Sequence, residues 1–131
     1  MALTEAQRTF NEGCSGLHTF NLLDESEDAI ALDDLYSLTL TLYDTASNAI
    51  INNRNEQNVL NTNDVTVSEA GAVSWSIKPA DTMIVNTDLE PNQTECHIAV
   101  FEWTWASGAE AGRYQVRLIV TAMPTVEVSS S

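Results

Sequence analysis

Three stretches of this chain predict an all-β sandwich. Residues 37–43 (SLTLTLY) alternate Leu38, Leu40 and Leu42 with Thr39, Thr41 and Tyr43, the period of two that makes one strand face apolar. Residues 72–77 (AVSWSI) place Val73, Trp75 and Ile77 on one face and give the core a large aromatic. Residues 95–121 read as two strands of about ten residues joined by a loop holding Gly108 and Gly112, the layout of a long antiparallel hairpin. With 131 residues, 44% of them hydrophobic, the chain is expected to form one domain around one core.

The elements follow in order. Residues 1–16 read as an N-terminal arm, with Thr4 and Gln7 spaced as the capping box of a short helical turn. Residues 17–23 (LHTFNLL) read as a first strand, with His18, Phe20 and Leu22 on one face and Leu17, Thr19, Asn21 and Leu23 on the other. The acidic turn 24–28 (DESED) follows, then 29–35 (AIALDDL), a short strand or a bent connection ending in a helical turn. After the leucine strand, 44–64 carries Asn48, Asn52, Asn53, Asn55, Asn58, Asn61 and Asn63 around the apolar pairs Ile50-Ile51 and Val59-Leu60. Asparagine tolerates left-handed backbone, so this reads as a long ordered connection, with room for a short strand at each pair. Residues 65–67 and 72–77 add two strands, and Pro79 ends the second because it has no amide hydrogen for a ladder. Residues 80–85 read as a helical turn between sheets.

In the closing hairpin, Tyr114, Val116, Leu118 and Val120 alternate with Arg113, Gln115, Arg117 and Ile119, so the basic residues belong to the outer face. Its partner strand is apolar on both faces. Cys96, Ile98 and Val100 point one way, and Ala99, Phe101, Trp103 and Trp105 the other. One face is expected in the core and the other under a loop or a neighbouring subunit. About seven strands around a Trp-rich centre fit an immunoglobulin-like sandwich, although the Cys, Trp, Cys spacing of antibody domains is missing. The expected division is an arm over 1–16, a sandwich over 17–123 and a tail over 124–131.

Charge excludes whole classes of partner. Five Lys and Arg face 19 Asp and Glu, a formal net charge of −14. Such a surface repels phosphate backbones and anionic headgroups, so neither nucleic acid nor membrane is an expected partner. No apolar run approaches the roughly 20 residues that span a bilayer, and the N-terminus lacks the pattern of a signal peptide. Synthesis in a reducing cytoplasm is expected, with Cys14 and Cys96 as free thiols.

No residue pattern names a catalytic group. There is no phosphate loop, dinucleotide glycine pattern or serine elbow. His97 stands beside Glu95 and Cys96, the types that bind metal or build a Cys-His nucleophile. Alternation puts Glu95 and His97 on one face with Cys96 opposite, so three adjacent ligands do not converge, and His97 is expected to be a partly buried histidine near the tryptophans. The acids of 24–28 and Asp33-Asp34 lack the spacing of a calcium loop and read as solvated turns. Asp81 reads as a cap for its turn. No catalytic residue, metal ligand or cofactor is expected. The expected interface residues are Ile98, Val100, Trp103, Trp105, Ile50 and Ile51. Trp103 and Trp105, two apart on one face, read as a core or subunit contact, against the alternative of a sugar-stacking platform.

Residues 37–85 (SLTLTLYDTASNAIINNRNEQNVLNTNDVTVSEAGAVSWSIKPADTMIV) and 95–120 (ECHIAVFEWTWASGAEAGRYQVRLIV) carry a resemblance. An alternating strand leads into a polar loop, a Gly-Xaa-Val-Xaa-Trp strand, a Pro-Xaa-Asp turn and a hairpin ending in a Gly-Xaa-Tyr strand. This pattern, over residues 17–121, resembles small immunoglobulin-like structural proteins of tailed bacteriophages and prophages, and is similar to the sandwich domain at the front of some phage baseplate proteins. The resemblance implies a non-enzymatic virion component made in the host cytoplasm: a capsid decoration, head-to-tail neck or tail accessory protein. Its implied partners are capsid, portal or tail proteins and further copies of itself. The alternative is a carbohydrate-binding module that recognises host-surface glycan through Trp103, Trp105 and nearby acids.

Overall fold

The inward leucines, valines and aromatics of alternating strands need a second apolar layer, and two facing sheets supply it. The computed structural model describes residues 4–123. Its strands are β1 (Thr4–Asn11), β2 (Gly16–Asn21), β3 (Leu35–Asp44), β4 (Gln57–Asn58), β5 (Val65–Val67), β6 (Ala72–Ile77), β7 (Thr94–Trp105) and β8 (Glu110–Thr121). One sheet has the order β1-β8-β7-β3-β4, and the other β2-β6-β5. Pairing is antiparallel except between β1 and β8. The chain is an all-β, immunoglobulin-like sandwich.

The core follows the sequence alternation. Leu38, Leu40 and Leu42 are fully buried, opposite Trp103, Phe101 and Ala99 of β7. Val73, Trp75 and Ile77 meet them from the other sheet, and Val116, Leu118 and Val120 extend the layer along β8. Phe20 of β2 and Phe101 of β7 touch across the sheets with ring centroids 4.9 Å apart, and Trp75 meets Phe101 edge-on at 5.4 Å. Antibody domains join their second and sixth principal strands with a disulfide. Here aromatic packing takes that role, and both cysteines are free. Gly112 faces Trp103 across the hairpin, and a Cβ there would come within 2.6 Å of the indole, so glycine is what admits the ring. Gly71 has φ of +85°, and a Cβ there would strike the Ile30 carbonyl.

Three expectations are corrected. Residues 4–11, expected as part of an arm, form β1 and pair in parallel with β8 from Thr4↔Tyr114 to Asn11↔Thr121. Ala6 and Phe10 turn toward the core while Gln7 and Thr9 face solvent, a period-two pattern that outweighs the Thr4–Gln7 cap spacing. The sandwich therefore begins at Thr4, ahead of residue 17. In the hairpin, Gly112 belongs to β8, and the turn is 106–109, with Ala106, Ser107 and Gly108 all at positive φ. The strand expected at Ile50-Ile51 is a single bridge, Ile50↔Tyr43, and the short strand near Val59 is β4 at Gln57–Asn58. The expected tail over 124–131 lies outside the described residues.

Replacing Phe101 by alanine removes the ring that touches both Phe20 and Trp75. Urea unfolding is expected to show a loss of about 3–5 kcal/mol with the fold retained; a loss below about 1 kcal/mol would contradict an inter-sheet role for the aromatics.

Candidate interaction face

The outer face of the five-stranded sheet is poor in acids although the chain carries −14. β3 contributes Ser37, Thr39, Thr41 and Tyr43 to it, β7 contributes Cys96, Ile98, Val100, Glu102 and Thr104, and β8 contributes Arg113, Gln115, Arg117 and Ile119. Glu102 is the one acid among the β3, β7 and β8 positions of this face, and the β1 register adds Glu5 opposite Gln115. The other acids lie mainly in loops, at 24–28, 33–34, 56, 64, 69 and 88–90. Arg113 and Arg117 are two of the five cations of the chain. Arg113 lies 3.8 Å from Glu102 in an exposed pair, and Arg117 Nη1 donates toward Cys96 Sγ at 3.5 Å. The outer face of β2-β6-β5 carries no acid on its strands, but it is only three strands wide.

The expected interface residues separate in the structure. Ile98 and Val100 sit on the outer face but are only 3% and 6% exposed, flanked by Tyr43 and Arg117 and by Thr41 and Gln115 respectively. They form the floor of the face, and their neighbours form its surface. Ile51 and Trp103 are corrected: both are core residues, and Trp103 Nε1 donates to the Leu23 carbonyl at 3.2 Å. Trp105 is half-buried and packs against the core, and Ile50 alone of the six is exposed. Trp103 and Trp105 therefore do not form a sugar-stacking platform. Trp105 instead borders an open groove of about 420 Å³ with Asp24, Ile30, Asp33, Asp34 and Ser107. The Asp24 carboxylate is engaged by its own turn, accepting from the Ser26 and Asp28 amides at 2.8 and 3.0 Å.

Sequence reading missed Arg54, which is 1% exposed. Its Nε and Nη2 donate to the two oxygens of buried Asp81 at 2.6 and 3.1 Å, and Nη2 also donates to Asp64 at 3.0 Å. Nη1 donates to Gln57 Oε1 and the Asn63 carbonyl at 2.8 and 3.1 Å, so all five guanidinium donors are used. The guanidinium also lies 5.9 Å from the Trp75 ring centroid. Asp81 accepts further from Asn52 Nδ2 and the Lys78 amide, which extends its expected role as a cap. Loop residues on both sides of β4 are thereby tied to the turn after β6.

A second polar cluster closes the same sandwich at the end of β3. Asp44 and His97 are register partners, and Glu95 stands two residues before His97 on the same inward face. One ligand-capable atom from each of the three lies within 4.8 Å of the others. The expectation of no converging ligands considered β7 alone; the third group comes from β3. His97 is fully buried, and its Nε2 is bonded to Glu95 Oε2.

Arg8, His18 and Tyr114 form a third cluster. Arg8 Nη1 donates to His18 Nδ1 at 3.2 Å. An arginine can only donate, so neutral His18 carries its proton on Nε2 and gives it to Tyr114 Oη at 2.8 Å. Burial, reinforced by the Arg8 charge, holds His18 below its ordinary value of 6.5. Burial pushes the Tyr114 hydroxyl above its ordinary 10.0, against the opposing pull of Arg8. This network orders the aromatic packing of Phe20 on Tyr114, stacked at 4.1 Å.

No family model matches the chain, and no curated protein matches it. Among solved structures it is similar to the crystal structure of the titin M3 domain, at 12% identity over 91% of each chain and a TM-score of 0.37. No function or partner follows from a likeness of that strength.

Two outcomes are expected. Asp81→Asn leaves the Arg54 charge buried without its main partner, and chemical denaturation should show a loss of about 3–5 kcal/mol; a change within about 0.5 kcal/mol would contradict the pinning role. Because His18 resists protonation in the folded chain, the unfolded chain binds the extra proton below pH 6.5. The stability that neutral His18 contributes is thus present above that pH and lost as pH falls. Thermal unfolding should show the midpoint dropping from about pH 7 to about pH 5.5, with a smaller drop in His18→Gln; an identical drop in the variant would remove His18 from the account.

Proposed function

We propose that this chain is a non-enzymatic structural module that assembles through the outer face of its five-stranded sheet, and that the assembly it serves is a tailed-phage virion. The observation that carries the assembly reading is the distribution of charge. Copies carrying −14 repel one another, and approach costs least where carboxylates are few. The five-stranded face combines that property with breadth, an apolar floor at Ile98 and Val100, and short Thr, Ser and Ile side chains above and beside it. The occupant is a second copy of the chain in an isologous pair, in which Arg113 of one copy meets Glu102 of the other. The resemblance read over residues 17–121 supports placing this contact in a capsid decoration, neck or tail accessory protein.

Introducing a carboxylate onto the face tests the reading. Light scattering should find concentration-dependent association in the wild type that is lost in Ile119→Glu, with stability changed by no more than about 1 kcal/mol. Leu17→Glu, on the outer face of the other sheet, should associate normally. Equal association in Ile119→Glu and the wild type would eliminate this face, and absence of the chain from purified particles by mass spectrometry would eliminate the virion assignment.

A further inference from the structure

We propose that Asp44, Glu95 and His97 form a binding site for a divalent transition cation of the zinc type. The three side chains converge from two neighbouring strands, with a ring nitrogen and one oxygen of each carboxylate all within 4.8 Å. Their interior position sets them apart from the solvated acids of the loops: Asp44 is 2% exposed and His97 is fully buried.

Both carboxylates are held from behind. Glu95 Oε2 accepts from the Val85 amide at 2.7 Å, and Oε1 from the Asn86 amide at 3.0 Å. Asp44 Oδ2 accepts from the Ser47 amide at 3.0 Å and the Ser47 hydroxyl at 2.7 Å. Such outer contacts fix the direction of metal ligands. A second observation points to a ligand. Asp44 Oδ1 and His97 Nδ1 are buried with no hydrogen-bond partner among the described residues. An orphaned buried carboxylate oxygen is costly, and a bound cation would satisfy Asp44 Oδ1; an ion shared with Glu95 would take His97 Nε2, the ring nitrogen that faces Glu95, and not Nδ1.

The donor set selects the class of ion. Calcium and magnesium favour all-oxygen cages, whereas imidazole with carboxylates suits zinc and its neighbours. Two carboxylates balance a divalent charge when His97 is neutral, and binding releases any proton the imidazole or a carboxylate holds in the metal-free cluster. Three protein ligands leave a fourth tetrahedral position for a water oxygen. The ion would fasten the end of β3 to the start of β7, with the 45–49 turn and residues 85–86 packed behind its ligands.

The test uses the full chain stripped with a chelator and titrated with zinc chloride. Calorimetry should find one zinc per chain, and the unfolding midpoint should rise with zinc but not with calcium or magnesium. Asp44→Asn should weaken affinity by more than the roughly tenfold to hundredfold that losing an outer contact costs. Nitrogen-15 NMR of the wild-type imidazoles provides a readout independent of variant folding: stoichiometric zinc should shift the His97 ring and leave His18 in place. No zinc-dependent stabilisation, an equal response in Asp44→Asn, or a His97 resonance that ignores zinc would each overturn the proposal. The last outcome would assign the cluster to a hydrogen-bonded histidine between two carboxylates.

Discussion

The Arg54 guanidinium organises the least regular part of the molecule. From Asp44 to Asp64 the backbone turns repeatedly through left-handed conformations, at Asn48, Asn52, Asn53, Glu56, Asn61, Asn63 and Asp64, with only the two-residue β4 as regular structure. Such a segment has little ladder hydrogen bonding to hold it, and ordering it costs conformational entropy. Arg54 compensates by placing one charge in the interior and satisfying every donor with groups from the loop and from Asp81. A buried ion pair is weak evidence of net stability but strongly fixes one arrangement over others when its partners are complete. Here it sets where the loop crosses the end of the sandwich, beneath Trp75.

The regular part is held differently. Phe20, Phe101, Trp75 and Tyr114 span the gap between sheets, and Arg8 and His18 cap that stack at one side. Because packing and buried polar posts hold the sheets, the sandwich needs no disulfide. It also leaves the outer faces free of structural duty. The acids are concentrated in loops and turns, and the broad sheet face is left with few carboxylates beside Arg113 and Arg117.

Much of the fold was legible because its signals are local. Leu38, Leu40 and Leu42, the Val73–Trp75–Ile77 face and the alternating β8 fix strands and their inward sides without knowledge of partners. β1 was missed because Arg8 occupies an inward position between Ala6 and Phe10. Its charge breaks the apolar alternation in sequence, and the Leu17 carbonyl, His18 and the Phe10 ring 5.6 Å away make the position tolerable. Arg54 was missed for the same reason: a lone cation in a polar loop looks solvated until Asp64 and Asp81, ten and 27 residues away, are seen around it. Glu95 and His97 were visible as a pair, but the third member, Asp44, depends on the β3–β7 register. The tryptophan pair shows the converse limit, since alternation placed Trp103 and Trp105 on one face correctly while saying nothing of how deeply each is buried.

The assembly account makes a signed claim about electrostatics, and sedimentation of the wild-type chain over a concentration series at low and high salt tests it most directly. If copies meet through this carboxylate-poor face, salt screens the repulsion between the charges elsewhere on the chain and association strengthens as salt is added. A chain that stays monomeric at every concentration, or whose association weakens with salt, would contradict the account.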